Sequence, residues 1–468
     1  MKSSTLDLNI IRKYDVSAPR YTSYPPATQF TDKVTPQTVL KRVAAHQRDA
    51  GELSLYFHIP FCSSLCWYCG CANVITADKS AAQKYLTYLD REINLLKPAL
   101  DPRRQVVQIH LGGGTPTYFQ PEELRALNHL IRHHFKISPT LEASVEIDPR
   151  TLSLGHVAAL AEGGFRRVSL GVQDFDPEVQ KAIHRVQPQE FTEEAVGLFR
   201  RNGFTSVNFD LIYGLPQQTP ATFGKTLDAV IGMNPDRLAI FGYAHVPWLK
   251  PAQRLLTELP SPKARLTLLK LAVEKLTAAG YICIGLDHFA KAHDPLAKAQ
   301  ANGELHRNFQ GYTTCPDADI HAFGISSISQ TGGTYWQNEK DLEAYYRALD
   351  EGHLPVARGI ILTPEDKIRR TTITRLMCDM KLDFGAMSEL LGICFAPHFA
   401  KEIRGLHDLA EDGLLTVDAD GIQVTPVGRL LVRNIAMRFD ATRPAPRAPK
   451  AQAQAQEAPR ARQFSASI

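Results

Sequence analysis

Leu53-Ser54-Leu55-Tyr56-Phe57-His58 runs into Ile59-Pro60-Phe61-Cys62-Ser63-Ser64-Leu65-Cys66-Trp67-Tyr68-Cys69-Gly70-Cys71. The first six residues are apolar and aromatic over the length of one strand. Four cysteines then crowd into one loop. A strand ending in a thiol-rich loop is the start of a site, and the rest of the chain shows what kind of sheet it opens.

Further β-rich runs recur at 106–111, 141–147, 167–172, 206–212 and 237–242, with amphipathic stretches between them at 81–95, 121–135, 153–162, 191–201 and 220–233. This alternation predicts a parallel sheet with right-handed crossovers, an α/β fold forming a partial (β/α)6-type barrel. Each run ends in glycine or polar residues: His58, then Gly112-Gly113-Gly114-Thr115-Pro116, Glu146, Gln173, Asp210 and His245. In such folds the chemistry sits at the strand ends.

The chain has 468 residues, 44% hydrophobic and 22% charged. These values exclude a collagen, a fully disordered chain and a small disulfide scaffold. No apolar run is long enough to span a bilayer, and the first 13 residues lack a signal core, so a cytoplasmic protein is expected. The net charge is +4. Residues 441–468 carry all of it, so composition gives no argument for nucleic-acid or anionic-membrane binding. Four domains are expected: an N-terminal arm at 1–46, the barrel at 47–285, a covering loop with a mostly helical C-terminal domain at 286–440, and a disordered basic tail at 441–468. The stretch 286–333 reads as irregular, with a small hairpin near 415–424.

Of eight cysteines, Cys283, Cys315, Cys378 and Cys394 are scattered. The spacing Cys62-x3-Cys66-x2-Cys69 lets three thiolates converge from one loop, leaving one position open on a [4Fe–4S] cluster. Zinc is the alternative, with Cys71 closing a tetrahedron, although structural zinc usually uses two separated pairs.

The cysteine loop with Tyr68 before its third cysteine, and the glycine run after the second strand, resemble the radical S-adenosylmethionine superfamily. The arm around Pro19-Arg20-Tyr21-Thr22-Ser23-Tyr24-Pro25 resembles, more narrowly, the oxygen-independent coproporphyrinogen III oxidase family. So do the Cys69-Gly70-Cys71 ending, Asp210-Leu211-Ile212-Tyr213-Gly214-Leu215-Pro216, Asp287-His288-Phe289-Ala290 and the stretch from His306 to Thr314. The likeness runs from about residue 14 to about residue 440. Pro26, Ala72, Gly242 and His321-Ala322 depart from the usual pattern; none is a cluster ligand.

The resemblance implies a [4Fe–4S] cluster on Cys62, Cys66 and Cys69, with Cys71 a non-ligand. It implies two S-adenosylmethionine molecules per active site. Tyr56, Gly113, Gly114, Thr115 and Glu146 match the first molecule's contacts. Tyr68, Gln173, Arg185, Asp210, Ala244 and Ile328 match the second's. From spacing alone Arg185 reads as a surface helical arginine; Tyr56 reads equally as a core aromatic, and Gly112 to Gly114 can be a plain turn as well as a cofactor seat. The implied reaction converts two propionates of coproporphyrinogen III to vinyl groups through a 5′-deoxyadenosyl radical. Arg20, Arg307 and Gln310 are the expected substrate-binding residues, with Tyr21 and His306 nearby, and His58 and Tyr56 sit beside the cluster. An unidentified electron donor and acceptor and a monomer complete the expectation. The rival within the superfamily is a haem chaperone, whose members generally lack the arm motif, the Cys-Gly-Cys ending and the 307–314 stretch.

Overall fold

The computed structural model describes residues 8–14, 16, 19–46, 51–316 and 318–442. Almost all of the basic tail lies outside them. Six strands form where the alternation places them: β1 (Leu53–Ile59), β2 (Gln105–Gly113), β3 (Lys136–Ile147), β4 (Arg167–Gln173), β5 (Ser206–Tyr213) and β6 (Arg237–Gly242). They lie side by side in chain order, all parallel. The crossovers are α1 (Ser80–Leu96), α2 (Pro121–His134), α3 (Leu154–Glu162), α4 (Gln189–Arg201) and α5 (Pro220–Met233). Helix starts are encoded locally. Proline opens α2 and α5, where its missing N–H costs nothing. Ser153 and Thr219 cap α3 and α5 by accepting from the amides of His156 and Thr222.

One property of these strands decides the function. Parallel sheets are usually buried on both faces. Here β5 alternates strictly: Val207, Phe209, Leu211 and Tyr213 are buried, while Asn208 and Asp210 keep access to solvent. β4 repeats the pattern, with Arg167 and Ser169 alternating with buried Val168 and Leu170. Register then aligns Glu146, Ser169, Asn208 and Arg237 in one cross-strand row. The inner face is therefore a polar wall around a cavity, and the apolar face packs on the helices.

The sheet continues past residue 285. β7 (Tyr281–Gly285), β8 (His288–Lys291), β9 (Asp319–Phe323), β10 (Ile328–Thr331), β11 (Thr334–Asn338) and β12 (Val356–Ile361) extend it to twelve strands. β9 pairs in parallel with β1, and β8 pairs antiparallel with β6. The order is β12-β11-β10-β9-β1-β2-β3-β4-β5-β6-β8-β7, and the two end strands are not paired with each other. The fold is α/β with a large, mostly parallel sheet left open as a partial barrel. The stretch 286–333 is thus not irregular: it holds β8, β9, β10, a helix at Pro295–Asn302 and a hairpin of His306–Asn308 with Gly311–Thr313. These pieces are three to eight residues long, too short to show a period.

After β12 the chain is mostly helical, from Pro364–Asp379 to Val432–Ala436. The expected hairpin forms from Leu415–Val417 and Gly421–Val424, joined by Lys381–Asp383. The N-terminal arm lies against this region: Tyr14, Tyr21 and Tyr24 are buried in the main core, and the Tyr21 hydroxyl donates to Asp440 at 2.8 Å. Among the described residues no helix is long and apolar enough to cross a membrane.

Candidate active site

The cysteine loop leaves the end of β1 and folds back beside it. His58 ties the two together. Its Nε2 lies 2.7 Å from the Ala72 carbonyl, which can only accept, so Nε2 carries the proton. Nδ1 then accepts from the Tyr56 hydroxyl at 3.0 Å. Burial lowers the pKa of His58 and keeps it neutral. Tyr56 stacks on His110, its register partner on β2.

The glycine run serves this same junction. A Cβ on Gly114 would stand 2.5 Å from the Pro60 carbonyl oxygen and 2.6 Å from that of Phe61. Gly113 has φ +120, and its Cβ would meet the Ile59 carbonyl and the His58 ring. Two strand ends approach too closely here for any side chain. The Thr115 hydroxyl accepts from the Asp148 amide at 3.1 Å and pairs with Thr117. These residues therefore shape the loop's seat through contacts with protein.

Among the thiols, Cys66 is buried and receives Arg150 Nη2 at 3.4 Å and Arg185 Nη1 at 3.5 Å. Asn73 Nδ2 reaches Cys69 Sγ at 3.5 Å. A hydrogen bond from Cys71 is the main cause that draws Cys69 down to about 6, while burial pushes Cys62 up to about 12. Arg185 is 6% exposed, so the surface-arginine reading is wrong for it. It donates to Asp148 at 2.9 Å and to the Gly171 carbonyl at 2.7 Å. Asp148 also takes Arg150 at 2.7 Å. Burial raises its pKa, yet the Arg185 charge and the Arg150 hydrogen bond hold it below the ordinary value.

Two guanidiniums aimed at thiol sulfur suit an anionic thiolate-bound cluster and stabilise its negative charge. The donor set thus fits a [4Fe–4S] cluster on Cys62, Cys66 and Cys69.

The loop opens on the barrel interior. Cys71 lines a cavity of about 410 Å³ together with His110, Glu146, Asn208, Asp210 and Gln310. A smaller space of about 220 Å³ adjoins it, lined by Tyr56, His58, Glu146, Gln310 and Ile328. Burial favours the neutral form of Glu146, but His110, 3.2 Å away, holds it below its usual range. Asp210 goes the other way. Burial raises it to about 6, although Ser169 and Asn208 donate to it at 2.8 and 2.9 Å. Two carboxylates at one mouth are thus shifted in opposite directions.

Arg20 and Arg307 line neither space, but each lies over an aromatic ring that lines the larger one. Arg20 pairs with Asp287 at 2.6 Å and lies over Phe241, while Arg307 lies over Tyr312. Phe241 and Tyr312 both line the larger space. Gln310 accepts from Ser54 at 3.3 Å, and its buried Nε2 has no protein partner. Tyr68 packs beneath the loop with Val179, Ile183 and Tyr243, and Gln173 stands beside Arg185 across Gly171. Ala244 presents its carbonyl to Gln253 at 3.2 Å. Gln173 and Ala244 do not line either space. Tyr21 and His306 turn to Asp440 and Arg375 instead. His110, Asp148 and Arg150 carry the site without having been singled out. Each lies on or just past a strand end that the alternation marked.

Comparisons agree with this geometry. The Radical SAM superfamily model matches residues 56–230 and the HemN C-terminal domain model matches 362–431. Oxygen-independent coproporphyrinogen III oxidase of Salmonella typhimurium is 47% identical over 437 residues, covering 93% of this chain and 95% of that protein. That of Pseudomonas aeruginosa is 45% identical over 438 residues, with 93% and 95% covered. The structure of coproporphyrinogen III oxidase (HemN) from Escherichia coli, a radical SAM enzyme, superposes with a TM-score of 0.89 at 45% identity, covering 93% of this chain and 99% of that one. The chain belongs to the oxygen-independent coproporphyrinogen III oxidase family of the radical SAM superfamily.

Proposed function

We propose that this protein converts coproporphyrinogen III to protoporphyrinogen IX without oxygen, by oxidative decarboxylation of two propionates to vinyl groups. The observation that carries the reading is that the three-thiol loop opens, through Cys71, onto a cavity lined by Phe241 and Tyr312, the two rings over which Arg20 and Arg307 lie. Cys62, Cys66 and Cys69 would hold the [4Fe–4S] cluster. With S-adenosylmethionine it supplies reductive cleavage to a carbon radical able to abstract hydrogen.

The chain's own residues bind, orient and hold protons. Glu146, ionised beside His110, is suited to the ammonium or ribose hydroxyls of a first S-adenosylmethionine, with Tyr56 bounding that space. Asp210 and Arg185 support a second S-adenosylmethionine, with Tyr68, Gln173, Ala244 and Ile328 around it. Arg20 and Arg307 receive substrate carboxylates through charge-assisted donors, and Gln310 offers its unpartnered amide. An outside one-electron donor and acceptor serve a cytoplasmic monomer in this reading. A haem chaperone is not favoured, because the arm carrying Arg20 and the hairpin carrying Arg307 are both present, and hairpin residues Gln310 to Thr313 line the cavity.

The test is an anaerobic assay of the reconstituted protein with reductant, S-adenosylmethionine and coproporphyrinogen III. Protoporphyrinogen IX with two 5′-deoxyadenosines per product is expected. 5′-Deoxyadenosine without tetrapyrrole product would overturn the substrate.

A further inference from the structure

Beside the cavity the described residues hold more buried positive charge than they neutralise. Arg20 and Arg433 lie near a single carboxylate, Asp287, and Arg307 reaches the Arg20 carbonyl beside them. Arg20 alone pairs with Asp287, at 2.6 Å. Arg307 donates only to the Arg20 carbonyl, at 3.5 Å, and its Nε and Nη1 are buried without partners. Arg433, on the C-terminal helix Val432–Ala436, is 6% exposed, and its Nη1 also lacks a partner. His288, between Phe241 and Tyr312, adds no charge, since burial and then Arg307 push it down to about 4.

The three cations sense one another. Arg433 is drawn down to about 10 by burial first, with Arg20 and Arg307 adding to the fall and Asp287 opposing it. Three guanidiniums against one carboxylate leave an excess of two positive charges. Buried unpaired charge is strongly unfavourable unless a counter-charge arrives.

We infer that Arg20, Arg307 and Arg433 form one receptor for two carboxylates of the tetrapyrrole, with Asp287 as its fixed counter-charge and Arg433 as its deep anchor. This rests on the function proposed above and adds which carboxylates are held. A carboxylate that leaves as carbon dioxide must lose its negative charge. Guanidiniums bind the carboxylate and not the neutral product, so they would raise the barrier at any propionate they grip. The receptor therefore holds the two propionates that persist into the product. The reacting pair is left to the side of the cavity nearer Cys71.

The test is anaerobic binding of two fluorescent probes to the reconstituted full chain. Coproporphyrin III carries four propionates and protoporphyrin IX only the two that persist. Wild type binds both. Arg433→Gln should weaken both at least tenfold and equally, with the melting temperature level or raised because buried repulsion is relieved. Arg433→Lys should recover part of the affinity. A purely structural arginine would lower the melting temperature and leave affinity alone. Unchanged affinity for both probes in Arg433→Gln overturns the receptor and leaves the proposed function standing. A loss confined to coproporphyrin III overturns the choice of the persisting pair. Failure of wild type to bind either probe overturns the tetrapyrrole reading itself. Should Arg433→Gln not fold, Arg433→Lys decides: several-fold weaker binding of both probes supports the receptor, and wild-type affinity overturns it.

Discussion

His58 Nε2 donates to the carbonyl oxygen of Ala72 at 2.7 Å, across the mouth of the cysteine loop. The bond joins the last turn of β1 to the residue just past Cys71. It uses backbone at position 72, so a side-chain change there leaves it intact. This is why Ala72, a departure from the family pattern, is compatible with a closed loop. Tyr56 completes the chain by donating to the other ring nitrogen. His58 thus acts on the cluster loop by position, with both nitrogens committed to protein.

His58→Phe keeps an aromatic ring and deletes both bonds. It leaves the Tyr56 hydroxyl unsatisfied in the interior, at a cost of about 1–3 kcal/mol. Because the loss falls on the loop, iron retention should fall more than global stability. Iron and sulfide per chain, and the half-life of the visible absorbance under chelator, are expected to drop at least twofold while far-UV circular dichroism stays native. Unchanged iron retention would refute the positioning role.

Gly114→Ala should be more damaging than its size suggests. The new methyl would meet two backbone carbonyl oxygens, those of Pro60 and Phe61, and neither can swing aside. Separating the ends of β1 and β2 also breaks the Gly114 amide bond to the Ile59 carbonyl at 2.8 Å. Overpacking of this kind costs about 1–3 kcal/mol. The expected result is a melting temperature lower by several degrees and poor cluster assembly. Gly70→Ala on the same loop, with nothing within 4 Å of its Cβ, should change little.

The contrast between these glycines was not legible in the chain. A Gly-Gly-Gly run signals close approach of something, and whether ligand or backbone approaches depends on tertiary packing. The six barrel strands were legible because each is long and followed by a polar end. β8 to β11 were not, since four or five residues carry no period. The polar inner wall was in the sequence: Ser206 to Leu211 alternates polar and apolar at every step. Arg433 gave no local signal at all. Its role comes from a five-residue helix brought beside Asp287 from nearly 150 residues away.

Asp148 joins Arg150 and Arg185, the two guanidiniums on Cys66. Asp148→Asn removes the one carboxylate paired with buried Arg185, at a cost of up to about 3–5 kcal/mol where no cluster charge offsets it. The same carboxyl gives an acid limit. Its folded pKa is depressed, so its contribution is fully present above the ordinary carboxylate value near 4 and is lost as pH falls below it. Wild type should lose thermal stability on acidification below about pH 4, and Asp148→Asn should show a shallower decline over that range. Parallel curves would assign the acid limit elsewhere.

Glu92 reverses the sign. It sits on α1 among Tyr85, Leu89 and Ile93, 3% exposed. Its oxygens accept from the Gly324 amide at 2.8 Å, Asn338 Nδ2 at 2.5 Å and the Tyr345 hydroxyl at 2.7 Å. These donors favour the carboxylate, but burial outweighs them and raises it to about 7. The folded chain therefore holds a proton that the unfolded chain releases near 4.3, and between those values the unfolded state binds fewer protons. Stability from this group is greatest at low pH and declines as pH rises from about 4.5 to about 7, by about 3 kcal/mol in all. Above that range the curve is flat. Glu92→Gln cannot ionise, so its melting temperature should change less between pH 5 and 7 than that of wild type, measured anaerobically on cluster-loaded protein. The variant loses one good acceptor to Asn338 and should start lower at pH 5, with the gap narrowing toward pH 8. A gap that stays constant from pH 5 to pH 8 would mean Glu92 is charged in the folded state, and that its three donors outweigh its burial.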